Sequence, residues 1–489
     1  MLKLNSCCIK NAAGVFILFC CCKTLFFGVS CAWTRRDEVF IGFDHHDKKY
    51  LQIAMPASVE SLCMILLASA DLIMVGTLGA EAIAAVAIFM QPRLVLFCFS
   101  RSAASAVTLL ASRYAGRGER IEAADLLKQM LGVSCVFFML LHLVFWYFLQ
   151  DILTLMGAEP DYIELAMQYA NIATVAAYIS SVTYVLQAIQ LGFGKTAEIM
   201  RTNLIGNGIN IVANFFLIFG IGPFPEMGVE GAALGTVIGT LSTMLMTCAE
   251  MKSEEFFAWR KECSWVPTKE RWKAFMPVYL SVFSEQGCER AGMVIFTRIA
   301  AGLGTVPFAV HSICMNIADI YYDFAQGPGK ASMVLAGQAC GKRDVNEWHT
   351  YRNVGVKLTF IFSIISCVLT ILFHDELYLI FMPDGRGIEL AAVVLIIRAF
   401  VSFPEAHAIT CASILRASGQ TASVAAYSFI SVTILRPIIT WLLTYPLGLG
   451  LIGCWMALAI DQTTRGTCAT VLLRRLHNRI HLEMEKEIK

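Results

Sequence analysis

Charged side chains lie inside long apolar runs of this sequence, where each one needs a physical reason. An ionisable group within such a run is costly to place in hydrocarbon, so it is expected to be paired or to carry a function. Pairing with an opposite charge on a neighbouring segment is one explanation for many of them. The candidates are Glu60, Asp71, Arg93, Arg101, Glu285, Glu289, Asp319, Asp323, Lys330, Glu405, His407 and Arg436.

Asp71 differs from the others because its own segment, ASADLIMVG, has no basic residue within one or two helical turns. An unpaired carboxylate at that depth is expected to hold either a proton or a cation. Both properties suit ion-coupled transport, since the group must exchange a proton or a metal ion in every cycle. Asp71 is therefore predicted to be functional.

Four asparagines follow in one apolar segment, at positions 203, 207, 210 and 214. Asn210 and Asn214 are one helical turn apart, and their amide oxygens would suit a hard cation such as Na⁺. Hydrogen bonding between membrane helices explains them equally well. Arg93 and Arg101 lie eight residues apart, hence on one helix face, where structural pairing and substrate binding are both open, as they are for Arg436.

The composition places these residues in a polytopic membrane protein. Of 489 residues, 57% are hydrophobic and only 15% are charged, against about 25% charged in soluble domains. Apolar runs persist for roughly the twenty residues that cross a bilayer. The net charge of +1 gives no reason to expect a nucleic-acid partner. Most of the 18 cysteines are scattered singly without zinc-type spacing, which indicates small apolar residues in helices.

Twelve transmembrane helices are predicted, six in each half of an all-α protein. The predicted spans are 50–74, 82–112, 127–150, 161–192, 199–220, 229–251, 273–299, 306–335, 353–381, 388–416, 423–445 and 450–473. Alternate connections carry the basic residues, among them Arg113, Arg117, Lys342 and Arg343, so both termini and the central linker are predicted to be cytoplasmic. The protein is thus expected in the cell membrane.

The predicted organisation has five parts. They are an amino-terminal extension (1–46), an amino-terminal lobe (47–251), a cytoplasmic linker (252–272), a carboxy-terminal lobe (273–475) and a cytoplasmic tail (476–489). Within the extension, residues 12–33 are mostly apolar but broken by Lys23. An extra hydrophobic helix, a signal-like segment or an over-extended gene start would each produce that pattern.

The two lobes match each other at a nearly constant shift of 225 residues. At this shift Leu78-Gly79 meets Leu303-Gly304, and Gly194 meets Gly419. Smaller changes of shift bring Pro56 onto Pro277 and Gly228 onto Gly450. Because each lobe has six predicted spans, the repeats are expected to be parallel, with the substrate held between them.

Several of these motifs resemble those of the multidrug and toxic compound extrusion (MATE) family. The first span, with Pro56, Ala70-Asp71-Leu72-Ile73-Met74-Val75-Gly76 and Leu78-Gly79, is similar to the first span of that family. Asn210-Ile211-Val212-Ala213-Asn214 and Thr236 resemble its fifth and sixth spans. The resemblance implies a cation-coupling site, with Na⁺ as one candidate ion, made by Asp71, Asn210, Asn214 and Thr236.

The carboxy-terminal lobe resembles the family as well. Glu285 stands eight residues after Pro277, and Glu405 stands eleven before Arg416, where many members carry an aspartate. The longer side chain, and Val401 in place of an aromatic residue, put a second cation site in doubt. The candidates for substrate binding or a second cation site are Glu285, Glu405, Glu289 and Glu60.

The resemblance covers residues 47–475 and implies a V-shaped central cleft and alternating access. The expected function is export of organic cations, drugs or toxic compounds in antiport with Na⁺ or H⁺, by a monomer without a cofactor. A flippase for lipid-linked oligosaccharides or polysaccharides in the same superfamily is the alternative, and a major-facilitator transporter is a weaker one. An enzyme is not expected, because no HExxH pair, nucleophile elbow or phosphate-binding loop occurs.

Overall fold

A computed structural model describes residues 44–253 and 264–486, and every regular element in those two ranges is helical. The apolar stretch at 12–33, which an extra helix, a signal-like segment or an over-extended gene start would each explain, lies outside the described residues. The helices are α1 (His45–Gly76), α2 (Ala80–Arg117), α3 (Arg120–Tyr147), α4 (Leu149–Leu155), α5 (Ile163–Gly192), α6 (Thr196–Phe219), α7 (Gly228–Ser253), α8 (Lys269–Ala301), α9 (Thr305–Lys342), α10 (Val345–Leu372), α11 (His374–Leu379), α12 (Ile388–Ala417), α13 (Thr421–Ser428), α14 (Arg436–Thr444) and α15 (Gly450–Lys486). A π-helical turn, Phe429–Leu435, joins α13 to α14. The all-α prediction is confirmed for this part of the chain.

Each predicted span overlaps a long helical segment, although many helix ends differ from the predicted bounds by several residues. The span predicted over 353–381 ends at Leu372, and a short helix follows it. The span predicted over 423–445 contains the π-helical turn. The last helix continues to Lys486, beyond the predicted end at 473. Apolar periodicity located the helices, but it could not locate a change of helix type within one.

Seven helices are long and apolar enough to cross a bilayer, as judged by length and composition within the described residues. They are Glu81–Arg117, Arg120–Tyr147, Ile163–Gly192, Thr196–Phe219, Gly228–Lys252, Val345–Leu372 and Thr421–Thr444. Among the other long helices, α8 contains several charged residues within its apolar stretch, including Glu285, Glu289 and Arg290.

Two glycines set the turns that precede α2 and α9. Gly79 has a φ of 117° and Gly304 a φ of 100°, a region that residues with a Cβ rarely adopt. Each follows a leucine at the end of one helix and begins the next. Leu78-Gly79 therefore connects the end of α1, shortly after Asp71, to the start of α2. Leu303-Gly304 connects α8 to α9 in the same way.

Glycines also allow α6 and α7 to pack closely. A Cβ at Gly239 would lie 2.5 Å from Asn210 Cβ, and a Cβ at Gly235 would lie 1.9 Å from Asn214 Oδ1. Small residues at such contacts let membrane helices approach until backbone and polar groups touch. This packing holds Asn210 and Asn214 directly against α7.

Helices α1 and α2 contact α9 over a long surface. Tyr50 donates its hydroxyl to the Pro328 carbonyl oxygen over 2.7 Å, and Ser58 donates to the Phe324 carbonyl oxygen over 2.8 Å. Near the carboxyl ends of α2 and α9 the backbones meet: a Cβ at Gly116 would lie 2.0 Å from the Gln338 carbonyl oxygen. The helix carrying Asp71 is thereby joined to the second part of the chain.

Candidate cation site and its surroundings

Asp71 and Asn214 form a direct hydrogen bond between α1 and α6. Asn214 Nδ2 donates to Asp71 Oδ1 over 2.9 Å. The Asn214 side chain is buried, and its Oδ1 atom has no hydrogen-bond partner among the described residues. A buried amide oxygen without a donor is costly unless something positively polarised satisfies it. This oxygen lies against Gly235 of α7, while the amide nitrogen faces the carboxylate. An amide that can turn would offer the oxygen to a cation bound at Asp71.

Asn210 and Thr236 complete the predicted set. Asn210, one turn before Asn214 on α6, donates from Nδ2 to Thr236 Oγ1 over 3.4 Å. The Thr236 hydroxyl donates in turn to the Ala232 carbonyl oxygen over 2.9 Å. The four predicted residues thus belong to one corner between α1, α6 and α7, and they offer carboxylate, amide and hydroxyl oxygens.

Oxygen ligands of this kind fit a hard cation such as Na⁺, with one carboxylate to balance one charge. Within the described residues there is no cluster of three or more His, Cys, Asp and Glu able to hold a metal ion. The corner around Asp71 is of another type, because amides and a hydroxyl provide most of its oxygens. It would suit a singly charged ion or a proton rather than Zn²⁺ or another transition metal.

Helix α2 brings one positive charge near Asp71. Arg93 is close enough to interact electrostatically with the Asp71 carboxylate, although no ion pair between them is formed. The guanidinium also lies 5.7 Å from the centre of the Phe97 ring. Asp71 is isolated along its own helix, as expected, but not in three dimensions.

Arg101, the second arginine of α2, lies over two aromatic rings. Its guanidinium is 5.6 Å from the Phe97 centroid and 5.8 Å from the Tyr184 centroid, and it interacts electrostatically with Asp323. Neither Arg93 nor Arg101 forms a salt bridge within 4.0 Å among the described residues.

Glu60 lies two to three turns before Asp71 on α1 and has polar partners. It accepts a hydrogen bond from Asn203 Nδ2, and Asn203 Oδ1 accepts one from Gln187 Nε2 over 2.8 Å. Lys330 Nζ of α9 is 4.0 Å from Glu60 Oε2. Glu60 is thus engaged by both parts of the chain.

Glu285 and Glu289 of α8 are both paired with arginines. Glu285 Oε2 is 2.5 Å from Arg416 Nη2, and Glu285 Oε1 accepts from Ser428 Oγ over 3.1 Å. Arg465 of α15 lies 3.7 Å from Glu285 and 3.3 Å from Glu289. These two predicted site residues therefore share one basic partner.

Glu405 is also held by an arginine. Arg398, seven residues earlier on α12, places Nη2 2.6 Å from Glu405 Oε2, and both side chains are buried. Arg398 Nη2 also donates to the Ala318 carbonyl oxygen over 3.1 Å. The structure thus brings Glu285 and Glu289 together around Arg465 and leaves Glu405 with a different partner.

Another buried pair joins Arg436 to Asp461. The distance from Nη2 to Oδ2 is 2.5 Å, and the two side chains are 1% and 0% exposed. Asp461, Arg465 and Arg398 were not singled out by the sequence reasoning. The signal was available, since Asp461 and Arg465 stand one turn apart inside the last apolar run and Arg398 stands two turns before Glu405.

The MatE family model matches residues 56–216 and 277–442. This chain belongs to the MatE family. The two matched segments fall in the two predicted lobes, and they contain Asp71, Asn210, Asn214, Glu285 and Glu405.

Curated relatives of this MatE protein match most of its length. A probable multidrug resistance protein NorM of Rhizobium meliloti is 24% identical over 456 residues, covering 89% of this chain and 94% of the relative. Multidrug resistance protein PmpM of Pseudomonas aeruginosa is 24% identical over 388 residues, covering 76% and 79%.

Solved structures share the fold of this MatE chain. A multidrug resistance MATE family transporter in an outward-facing conformation superposes with a TM-score of 0.82 at 20% identity, covering 89% of this chain and 96% of that one. A MATE protein in complex with MaL6 superposes with a TM-score of 0.83 at 19% identity, covering 89% and 97%.

Proposed function

We propose that this MatE protein is an efflux antiporter that exports organic cations, drugs or other toxic compounds in exchange for Na⁺ or H⁺. The observation that carries the proposal is the Asp71–Asn214 hydrogen bond, which joins a carboxylate to a buried amide whose Oδ1 has no hydrogen-bond partner among the described residues. The relatives named multidrug resistance proteins support the substrate class. No enzymatic activity and no cofactor beyond the coupling ion are proposed.

Asp71, Asn210, Asn214 and Thr236 are proposed to bind the coupling ion. When a cation binds the Asp71 carboxylate, the Asn214 amide would turn, so that its Oδ1 faces the ion and replaces the hydrogen bond that Nδ2 now donates to Asp71. A proton would act differently, by neutralising Asp71 directly. Both alternatives change the charge at one corner where α1, α6 and α7 meet, and this provides the link between ion binding and helix movement.

All twelve long helical segments are proposed to cross the bilayer of the cell membrane. The charged side chains of the less apolar helices support this, because several are already paired inside the protein, as Glu285 is with Arg416 and Asp461 with Arg436. Such pairing lowers the cost of charges at membrane depth. Both termini are proposed to be cytoplasmic, on the basis of the basic connections.

The two lobes, 47–251 and 273–475, are proposed to be parallel repeats, and contacts of equal spacing support this. Glu60 accepts a hydrogen bond from Asn203, and Glu285 accepts one from Ser428; both pairs are separated by 143 residues. A shift of 225 converts the first pair into the second. In each lobe, therefore, a glutamate at the same repeat position links two equivalent helices, α1 to α6 and α8 to α13.

Contacts between the lobes support a V-shaped cleft that is closed at one end. A Cβ at Gly116 would lie 2.0 Å from the Gln338 carbonyl oxygen, and a Cβ at Gly341 would lie 2.1 Å from the Arg113 carbonyl oxygen. A shift of 225 exchanges these two contacts, so each lobe presents the same surface to the other. Because basic residues follow here, the closed end is proposed to be cytoplasmic and the cleft to open outward.

The flippase alternative would be favoured by a basic cavity suited to pyrophosphate. The arginines of the carboxy-terminal lobe argue against it, because Arg398, Arg416, Arg436 and Arg465 each have an acidic partner within about 4 Å. Their charges are therefore largely neutralised inside the protein, and a cationic substrate is the better proposal. The protein is proposed to act as a monomer.

Gradient-driven transport would test the proposed function. Purified protein in liposomes is given an imposed Na⁺ or pH gradient and a fluorescent organic cation, with a gradient-free sample as the control. We expect dye movement that follows one of the two gradients. Dye movement that is independent of both gradients, or scrambling of a fluorescent oligosaccharide pyrophosphate lipid in their absence, would contradict the proposal.

A further inference from the structure

The pair formed by Arg436 and Asp461 lies in the carboxy-terminal lobe, and both side chains are buried. Asp461 Oδ2 accepts from Arg436 Nε over 3.0 Å and from Nη2 over 2.5 Å, and Asp461 Oδ1 accepts from Ser431 Oγ over 2.5 Å. Arg436 Nη1 contacts the Met293 sulfur at 3.0 Å. Every polar partner of this guanidinium comes from its own lobe.

The repeat relates this pair to the amino-terminal cation site. The π-helical turn ends just before Arg436. Its hydrogen bonds span five residues instead of the four of an α-helix, so the turn accommodates one inserted residue. After it, the shift between the lobes becomes 226, and Asn210 corresponds to Arg436. Gly228 and Gly450 start α7 and α15 with a shift of 222, by which Gly239 corresponds to Asp461.

Contacts at both ends of this alignment agree with it. A Cβ at Gly231 would lie 2.6 Å from the Leu217 carbonyl oxygen, and a Cβ at Gly453 would lie 2.8 Å from the Leu443 carbonyl oxygen. These two contacts need shifts of 222 and 226, the same two values. In the amino-terminal lobe Gly239 touches Asn210, and in the carboxy-terminal lobe the equivalent Asp461 binds Arg436.

The remaining ligands of the amino-terminal site have no counterpart that could bind a mobile ion. Asp71 corresponds to Phe296, which is fully buried, and Thr236 corresponds to Leu458. Asn214 corresponds to Thr440, whose hydroxyl donates to the Arg436 carbonyl oxygen over 2.6 Å. Among the described residues, the carboxylate at this place is Asp461 of α15, which is already bound to a guanidinium.

We propose that the Arg436 guanidinium is a fixed cation that occupies, in the carboxy-terminal lobe, the place where the amino-terminal lobe binds its mobile cation. A guanidinium stays charged and cannot leave, so this lobe exchanges no ion at its repeat-equivalent site. Together with the arginine partners of Glu285 and Glu405, it makes the amino-terminal lobe the one place of cation exchange. The protein then couples export to a single cation site. This inference rests on the proposed function.

Binding stoichiometry tests the inference. Radioactive sodium binding by scintillation proximity and an acid–base titration are compared for the wild type, Asp71→Asn and the double variant Arg436→Met/Asp461→Leu, all in lipid nanodiscs. The double variant removes both charges and keeps a similar volume, a change that often leaves stability intact. We expect one saturable site in the wild type, none in Asp71→Asn, and one site in the double variant with an affinity within about twofold of the wild type.

A second cation site in the wild type that survives Asp71→Asn and disappears in the double variant would overturn the inference while leaving the proposed function standing. A single site that Asp71→Asn does not remove, but the double variant does, would contradict both. A wild type that shows neither saturable sodium binding nor a titrating proton would instead contradict the proposed function. The three failures are therefore distinguishable.

Discussion

Asn214 on α6 donates its side-chain amide to Asp71 on α1 over 2.9 Å, and its other amide atom, Oδ1, is buried without a partner among the described residues. One side chain therefore stabilises the carboxylate and also offers an oxygen that needs a positive partner. An amide with both a donor and an acceptor suits a site proposed to exist both with and without a bound cation, because Nδ2 can stabilise the empty carboxylate and Oδ1 can contact the ion. The proposed coupling depends on this pair.

Replacement of Asn214 by alanine is expected to weaken cation binding without abolishing transport. The change removes a hydrogen bond to a charged group together with a candidate oxygen ligand, a loss of about 1.5–3 kcal/mol, or roughly ten- to a hundredfold in affinity. The measurement is export rate against Na⁺ concentration or pH in liposomes. Asn207→Ala is the control, because its amide contacts Met64 and the Asn203 backbone instead. Equal effects of the two variants would contradict the assignment.

Alanine at Gly116 or Gly341 is expected to open the contact between the lobes. Each new Cβ would lie about 2 Å from a backbone oxygen, a distance that only backbone movement can relieve. Hydrogen–deuterium exchange should therefore increase at the carboxyl ends of α2 and α9, and the transport rate should fall. Gly208→Ala is the matched control, since a Cβ there meets nothing within 4 Å. Unchanged hydrogen–deuterium exchange in both Gly116→Ala and Gly341→Ala would show that the lobes do not meet here.

Arg436→Ala is expected to destabilise the folded protein strongly. The substitution leaves the fully buried Asp461 without its main partner, a change that typically costs about 3–5 kcal/mol. Thermal unfolding in detergent would measure it as a lower Tm. Arg201→Ala provides the comparison: Arg201 also pairs with an acid, Glu250, but its side chain is 65% exposed, and its loss should leave Tm unchanged. A Tm equal to that of the wild type in Arg436→Ala would argue that Asp461 is not held by this arginine.

Glu405→Gln is expected to reduce stability rather than coupling. The neutral side chain would leave the buried Arg398 without its acidic partner, while the cation site at Asp71 is untouched. The number of cations moved per substrate should then equal that of the wild type, in protein that survives purification less well. A further change of Arg398 to methionine should restore thermal stability. A changed coupling ratio in Glu405→Gln would instead place a second cation at α12.

The helices were predictable because apolar runs of bilayer length and Leu-Gly breaks are properties of contiguous sequence. The site at Asp71 was predictable for a related reason: a single carboxylate in an apolar run stands out, and the family resemblance added Asn210, Asn214 and Thr236. The structure links Asp71 to Asn214 and Asn210 to Thr236, as the resemblance implied.

Partners on distant helices were not predictable. Nothing along the chain indicates that Arg465 lies between Glu285 and Glu289, or that α2 brings Arg93 towards Asp71. These relationships arise when helices far apart in sequence pack together. The π-helical turn before Arg436 was missed because its residues are as apolar as those of an ordinary helix, and hydropathy does not distinguish the two hydrogen-bond patterns.

The most direct test of coupling at Asp71 compares the wild type with Asp71→Asn in the same liposome assay. The substitution keeps the size of the side chain and removes its charge. Under an imposed Na⁺ or pH gradient, we predict that the wild type moves a fluorescent organic cation against its own gradient, while Asp71→Asn moves it no faster than protein-free liposomes. Export by Asp71→Asn at the wild-type rate, under whichever gradient drives the wild type, would contradict the account.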